Sequence, residues 1–191
     1  MIRGDNGTGK STLLQLLQGR LRPSRGWVRL AGRPLQGQRR RVALVPLAPS
    51  LNWRYPISLG ALVALGADGD PRSARPALSQ VGLDELRERP IASLSAGQRQ
   101  RALIARALAQ RAAVLLLDEP LACLDGASRL QLGSLIRTLV DAGTAIVLSV
   151  HGDLPPTLPR LHTYGLQDGT LHPQSPRPSL TPWQPPTSSS G

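Results

Sequence analysis

Gly4-Asp5-Asn6-Gly7-Thr8-Gly9-Lys10-Ser11 fits the pattern G-x-x-x-x-G-K-[ST]. Its glycines let the backbone turn successive N–H groups inward, and the apolar positions Leu13, Leu14, Leu16 and Leu17, stopped by Gly19, place a helix directly behind the loop. A loop delivered onto a helix N-terminus is a site for phosphate, because unpaired amides and the positive end of the helix dipole point at it. In that reading Lys10 reaches the β- and γ-phosphates of a nucleotide and the Ser11 hydroxyl ligates Mg²⁺. The plainer alternative is a Gly-rich turn ahead of a helix, and an accidental match is expected on the order of once in a hundred chains of this length.

Working outward, short strands are predicted at Trp27–Ala31 and Arg41–Val45, helices at Ile57–Leu65 and Ala74–Val81, and a helix from Ser95 through Ala109. Val114–Leu117 reads as a continuous apolar strand and Thr144–Val150 as another buried strand, separated by an amphipathic helix over Ala127–Asp141, and Tyr164–Leu166 as a last short strand. Helices alternating with strands that carry no polar face imply a mostly parallel sheet covered on both sides, an α/β fold. Residues 1–172 form one domain in this reading. From Pro173 to Gly191 the chain is rich in Pro, Ser and Thr without periodicity, the composition of a disordered tail.

The 191 residues suffice for one sizeable core. No apolar stretch reaches membrane-spanning length, and the first residues lack the apolar core of a signal peptide. One cysteine, Cys123, allows no internal disulfide and fits a reducing compartment. The net charge of +11 raises a nucleic-acid reading, but no aromatic residues interleave the arginines to stack bases, so no specific nucleic-acid partner is expected. Lys10 is the only lysine against 22 arginines, a skew read as compositional drift.

Two further stretches carry chemistry. Leu116-Leu117-Asp118-Glu119-Pro120 ends an apolar strand in two carboxylates, at the sheet edge where α/β folds bind ligands. Asp118 suits Mg²⁺ and Glu119 suits activation of an attacking water; acidic residues also cap strands and start turns, so this pair alone leaves both readings open. Leu94-Ser95-Ala96-Gly97-Gln98 has the spacing of a capping box, Ser95 with Gln98, which by itself marks only a helix start.

In the order phosphate loop, LSAGQ, LLLDEP, then His151, the chain closely resembles the ATPase subunits of ABC transporters from about Gly4 to Leu171. The resemblance implies an ATP-hydrolysing subunit that uses ATP and Mg²⁺. It would pair head to tail with a second ATPase subunit, most simply its own copy, and sit peripherally on the cytoplasmic face of the inner or plasma membrane beneath a transmembrane permease. Gly4, Asp5, Asn6, Gly7, Thr8, Gly9, Lys10, Ser11 and Thr12 would then cradle the nucleotide. Ser11 and Asp118 would hold the metal, Glu119 would be the base and His151 the γ-phosphate contact. Ser95 and Gly97 would act across the dimer, Gln98 and Asp125 would also belong to the nucleotide site, and the fold implied is that of a P-loop NTPase with a short helical subdomain. Val42 to Pro46 with Asn52-Trp53-Arg54-Tyr55-Pro56 looks like the segment of manganese, zinc or iron importers; the alternative for this stretch is an aromatic loop anchoring the helical subdomain.

The pattern breaks twice. The family's Q-loop glutamine falls on Leu47, which has no polar atom to orient Mg²⁺ or water or to link the site to the permease. Only three residues precede Gly4, where the family has opening strands and an adenine-stacking aromatic, so an open sheet edge or a core gap is expected there. These departures favour, as a second function, a hydrolysis-impaired nucleotide-binding scaffold or regulator. A soluble ABC ATPase acting on DNA or ribosomes is the third reading, supported by charge alone.

Overall fold

The computed structural model describes residues 1–47, 51–152, 154–158 and 161–174. A central sheet of six strands has the order β4-β5-β6-β1-β7-β8, with β1 Ile2–Arg3, β4 Val42–Val45, β5 Val114–Asp118, β6 Ala145–Val150, β7 Thr163–Gln167 and β8 Thr170–Gln174. All pairings are parallel except the β7–β8 hairpin. A small antiparallel pair, β2 Arg29–Leu30 and β3 Arg33–Pro34, stands apart from the sheet. The helices are α1 Lys10–Gln18, α2 Leu59–Ala64, α3 Pro71–Gln80, α4 Ala96–Ala109 and α5 Gly126–Asp141, and four three-residue 3₁₀ turns lie among the described residues.

The apolar strands are buried on both faces, as their composition requires. Leu115 and Leu117 of β5 join the larger core with α2, α3, α4 and α5, while Leu116 joins a second core with Leu14 of α1, Ile2 and Val42. Burying a leucine side chain such as that of Leu14, fully inaccessible here, contributes about 1.5–3 kcal/mol. Helix α1 ends as its Gly19 predicts: the Gly19 amide donates to the Leu16 carbonyl and the Arg20 amide to Gln15, the paired bonds of a Schellman cap.

Several boundaries differ from the sequence expectation. The strand expected at Trp27–Ala31 contracts to Arg29–Leu30, and Arg41 ends a 3₁₀ turn ahead of β4. Helix α3 starts earlier than expected, at Pro71, because Asp70 caps it by accepting from the Arg72 amide and proline suits the first helical position. Strand β8 Thr170–Gln174 was not expected and runs past the boundary placed at 172; residues 175–191 of the expected tail lie outside the described residues. The hairpin is specified by its Asp168-Gly169 turn, with both residues at positive φ, a signal the Pro-rich sequence beyond it obscured.

The expected opening of the sheet ahead of the phosphate loop is narrowed at its end by β1, while residues 145–148 of β6 have no partner in β1. Ile2 and Arg3 pair in parallel with Ser149 and Val150 of β6 on one side and with Tyr164 and Gly165 of β7 on the other. Ile2 is buried, and the terminal amine donates to the His162 carbonyl. Two residues therefore bridge the sheet, although β1 meets only the last two residues of β6 and leaves Ala145 exposed. No helix among the described residues is long and apolar enough to cross a membrane.

Candidate active site

β1, β5 and β6 end at the same edge of the sheet, and each hands its next residues to the site. Beyond β1, Gly4 lies so close to β7 that a Cβ would stand 2.8 Å from the Leu166 carbonyl oxygen and 2.7 Å from Thr8 Oγ1, so a side chain there would push the loop off the sheet. Gly9 is left-handed at the helix start, and no side chain caps α1. The first bond into the helix is donated by Leu13 to Gly9, so the amides of Lys10, Ser11 and Thr12 have no acceptor within the helix. That uncapped turn fits a phosphate group.

Lys10 is 5% exposed and its ammonium is fully engaged. Nζ donates to the carbonyls of Gly4 (2.8 Å) and Asp5 (2.9 Å) and lies 3.1 Å from Glu119 Oε1. The other Glu119 oxygen is 2.7 Å from Nδ1 of His151, whose side chain is half exposed. Glu119 thus bridges the loop lysine and the histidine beyond β6. Its backbone sits in the left-handed region at φ 45°, which costs a non-glycine residue on the order of 1 kcal/mol or more and places its carboxylate between Lys10 and His151.

The position is secured from below by Ser149, fully buried opposite Asp118 in the β5–β6 register. Its hydroxyl donates to Asp118 Oδ1 at 2.6 Å and accepts from the Glu119 amide at 2.9 Å. Asp118 is itself buried and forms no ion pair among the described residues, so with the exposed Ser11 hydroxyl it supplies the oxygen donors that suit Mg²⁺. Arg3 adds a second tie, donating from its guanidinium to the Gly152 carbonyl at 2.9 Å and fixing the turn after His151 to β1. The sequence reading passed over Ser149 and Arg3. The signal for Ser149 was present, a lone hydroxyl in the otherwise apolar strand Ala145–Val150.

The remaining expected residues form a second group. Ser95 and Gln98 close the capping box of α4 in both directions, at 3.3 and 2.9 Å. Asp125 caps α5: its carboxylate accepts from the Ser128 amide at 2.8 Å and the Ser128 hydroxyl at 3.1 Å, bonds that hold its pKa below the usual carboxylate value. The two helix starts touch, since a Cβ on Gly97 would lie 2.7 Å from Ser128 Oγ. No hydrogen bond or ion pair joins this group to the phosphate loop among the described residues. Trp53 of the aromatic loop packs on the main core with the Arg99 guanidinium of α4 5.1 Å from its ring centroid, so it anchors that loop to α4. Leu47, two residues beyond β4, is exposed.

A phosphate loop at the head of α1, with an Asp–Glu pair at the end of β5 two strands away, is the arrangement of a P-loop NTPase. Residues 1–122 match the family model described as ABC transporter, and the chain belongs to that family. The zinc transport system ATP-binding protein TroB of Treponema pallidum is 38% identical over 164 residues, 80% of this chain and 61% of the relative. The hemin import ATP-binding protein HmuV of Rhodopseudomonas palustris is 42% identical over 165 residues, 78% of this chain and 62% of the relative. Among solved structures, cbiO1 of Clostridium perfringens, part of the ABC transporter complex cbiONQ, superposes with a TM-score of 0.78 at 28% identity, covering 90% of this chain and 74% of that one. The chain spans about three fifths of the length of the relatives TroB and HmuV.

Proposed function

We propose that this chain is the ATP-binding and ATP-hydrolysing subunit of an importer that carries a metal ion or metal chelate through a separate permease. The observation that carries the proposal is the convergence of Lys10, Glu119 and His151, from three separate elements, within 3.1 Å contacts at one sheet edge. The uncapped start of α1 binds the phosphates and Lys10 turns from its loop carbonyls to the β- and γ-oxygens. That movement releases Glu119, whose carboxylate then accepts a proton from the attacking water, while His151 holds the γ-phosphate. Ser11 and Asp118 would hold Mg²⁺, which would neutralise charge on the phosphate oxygens. Ser149 keeps both carboxylates in place by bonding one side chain and the other's amide.

The paired starts of α4 and α5 supply the other half of the site in a head-to-tail dimer, with Ser95, Gly97 and Gln98 facing a second copy's nucleotide. A cleft of about 770 Å³ between the end of β4 and the helical subdomain, lined by Pro46, Leu51, Leu65, Leu103 and Arg106, suits a segment of the permease. The cargo class is supported by the zinc and hemin relatives and by the Asn52–Pro56 stretch. Size-exclusion chromatography of Glu119→Gln with Mg-ATP tests the dimer: nucleotide-dependent doubling of mass is expected. A variant that binds ATP and stays monomeric at saturation, while the parent dimerises, overturns both the base role and the sandwich.

A further inference from the structure

We infer that the arginine-rich surface between α1 and β4 is a docking face for an anionic lipid bilayer. Eight arginines and no acidic residue lie between positions 20 and 41, and no Asp or Glu occurs from Asn6 to Ala67. That segment holds ten of the chain's 23 basic residues, and the remaining 13 nearly balance all 12 acids, so the net charge resides here. Drift in composition would spread the excess; this charge is segregated.

The structure makes a surface of the segment. All eight arginines are exposed, and among the described residues only Arg40 of the eight meets a carboxylate, that of Asp68. Trp27 stands out beside them, 70% exposed, with the Arg29 guanidinium 4.1 Å from its ring centroid, and Leu21 is exposed next to it. An amphipathic indole and an aliphatic side chain among guanidinium groups match the chemistry of the headgroup layer. One exposed tryptophan is too little to stack a run of bases, which disfavours a single-stranded nucleic acid.

Orientation follows from continuity. A depression of about 250 Å³ bordered by Trp27, Arg22 and Arg39 shares Gly19 and Arg39 with a second one, which in turn shares Arg20 and Arg40 with the cleft assigned above to the permease. The orientation rests on that assignment, while the charge segregation and the exposed Trp27 stand without it. A face contiguous with the permease contact lies beside the lipid that surrounds the permease, whose cytoplasmic leaflet is anionic.

Vesicle co-sedimentation of the full chain tests this, with phosphatidylcholine vesicles carrying or lacking phosphatidylglycerol. Binding to the anionic vesicles alone is expected, weakening as salt is raised. Each basic residue near such a surface contributes roughly a factor of five, so replacing Arg22, Arg25 and Arg33 together by Gln lowers partitioning on the order of 10²-fold. Replacing the equally exposed Arg72, Arg75 and Arg89 by Gln removes the same charge elsewhere and leaves partitioning nearly unchanged. Equal binding to both vesicles, equal losses in the two triple variants, or tighter binding to single-stranded RNA at the same ionic strength overturns the proposal. ATP binding measured on the same samples separates the two readings: a chain that binds vesicles but no ATP refutes the transport function alone, and one that binds ATP but no vesicles refutes the lipid face alone.

Discussion

Replacing Glu119 by Gln is expected to tighten nucleotide binding while it stops hydrolysis. In the structure one carboxylate holds both Lys10 and His151, the two groups proposed to meet the γ-phosphate. Nucleotide therefore competes with Glu119 for them. An ammonium–carboxylate pair at such a distance interacts by roughly 4 kcal/mol at an effective dielectric near 20, and hydrogen bonds to charged groups net about 1.5–3 kcal/mol. The side chains of Lys10 and Glu119 are only 5% and 10% exposed, so solvent screens the pair little. Glutamine keeps the shape and removes the charge. At the lower end of the range, freeing Lys10 becomes easier by about 1.4 kcal/mol, which is on the order of tenfold in the Kd of a non-hydrolysable ATP analogue with Mg²⁺. Turnover should fall by 10² or more, since the amide accepts no proton. Isothermal titration calorimetry reads the first quantity and phosphate release the second. An analogue affinity that is unchanged or weaker in a variant that melts like its parent would refute the competition.

Ser149→Ala removes the bond to Asp118 and the acceptor for the Glu119 amide at a fully buried position; a loss of about 1–3 kcal/mol in thermal or denaturant unfolding is expected, with a raised Mg²⁺ requirement, and a neutral substitution would show that the hydroxyl secures nothing. Asp125→Ala should destabilise the chain near neutral pH and much less in acid. The native pKa is depressed, chiefly by the Ser128 amide, so the aspartate's stabilisation is complete above its unfolded pKa and disappears as pH falls through the native one. Melting curves of parent and variant that stay equally far apart at pH 7 and in strong acid would contradict the cap. Leu47→Gln should raise turnover several-fold at saturating ATP with little change in affinity, because the added amide acts on water and metal in the transition state. Equal turnover in parent and variant would show that position 47 is neutral.

The nucleotide side of the site was legible in the sequence because each part is local. The phosphate loop, the capping box of Ser95 and Gln98, and the carboxylates that end β5 are runs of adjacent residues whose backbone geometry follows from their own chemistry. What joins them was not legible. The Ser149 bonds and the contact of Gly97 with Ser128 depend on strand register and helix packing between residues about 30 apart. Strand β1 was hard to read for a related reason: two residues make a poor strand by pattern, and its place is set by pairing in parallel with β6 on one side and β7 on the other. Beside its expected place at the nucleotide, Asp125 has a local task as the cap of α5 that its spacing from Ser128 sets.

The central claim is that this loop and these carboxylates bind and hydrolyse ATP. Phosphate release from Mg-ATP by the full chain, measured beside Lys10→Ala, tests it most directly. The loop's amides remain in the variant, but the phosphate charge loses the only lysine of the chain. Mg²⁺-dependent release by the parent and none by a folded Lys10→Ala is the predicted result. Release that persists in Lys10→Ala, or a parent that binds no Mg-ATP at millimolar nucleotide, would contradict the account.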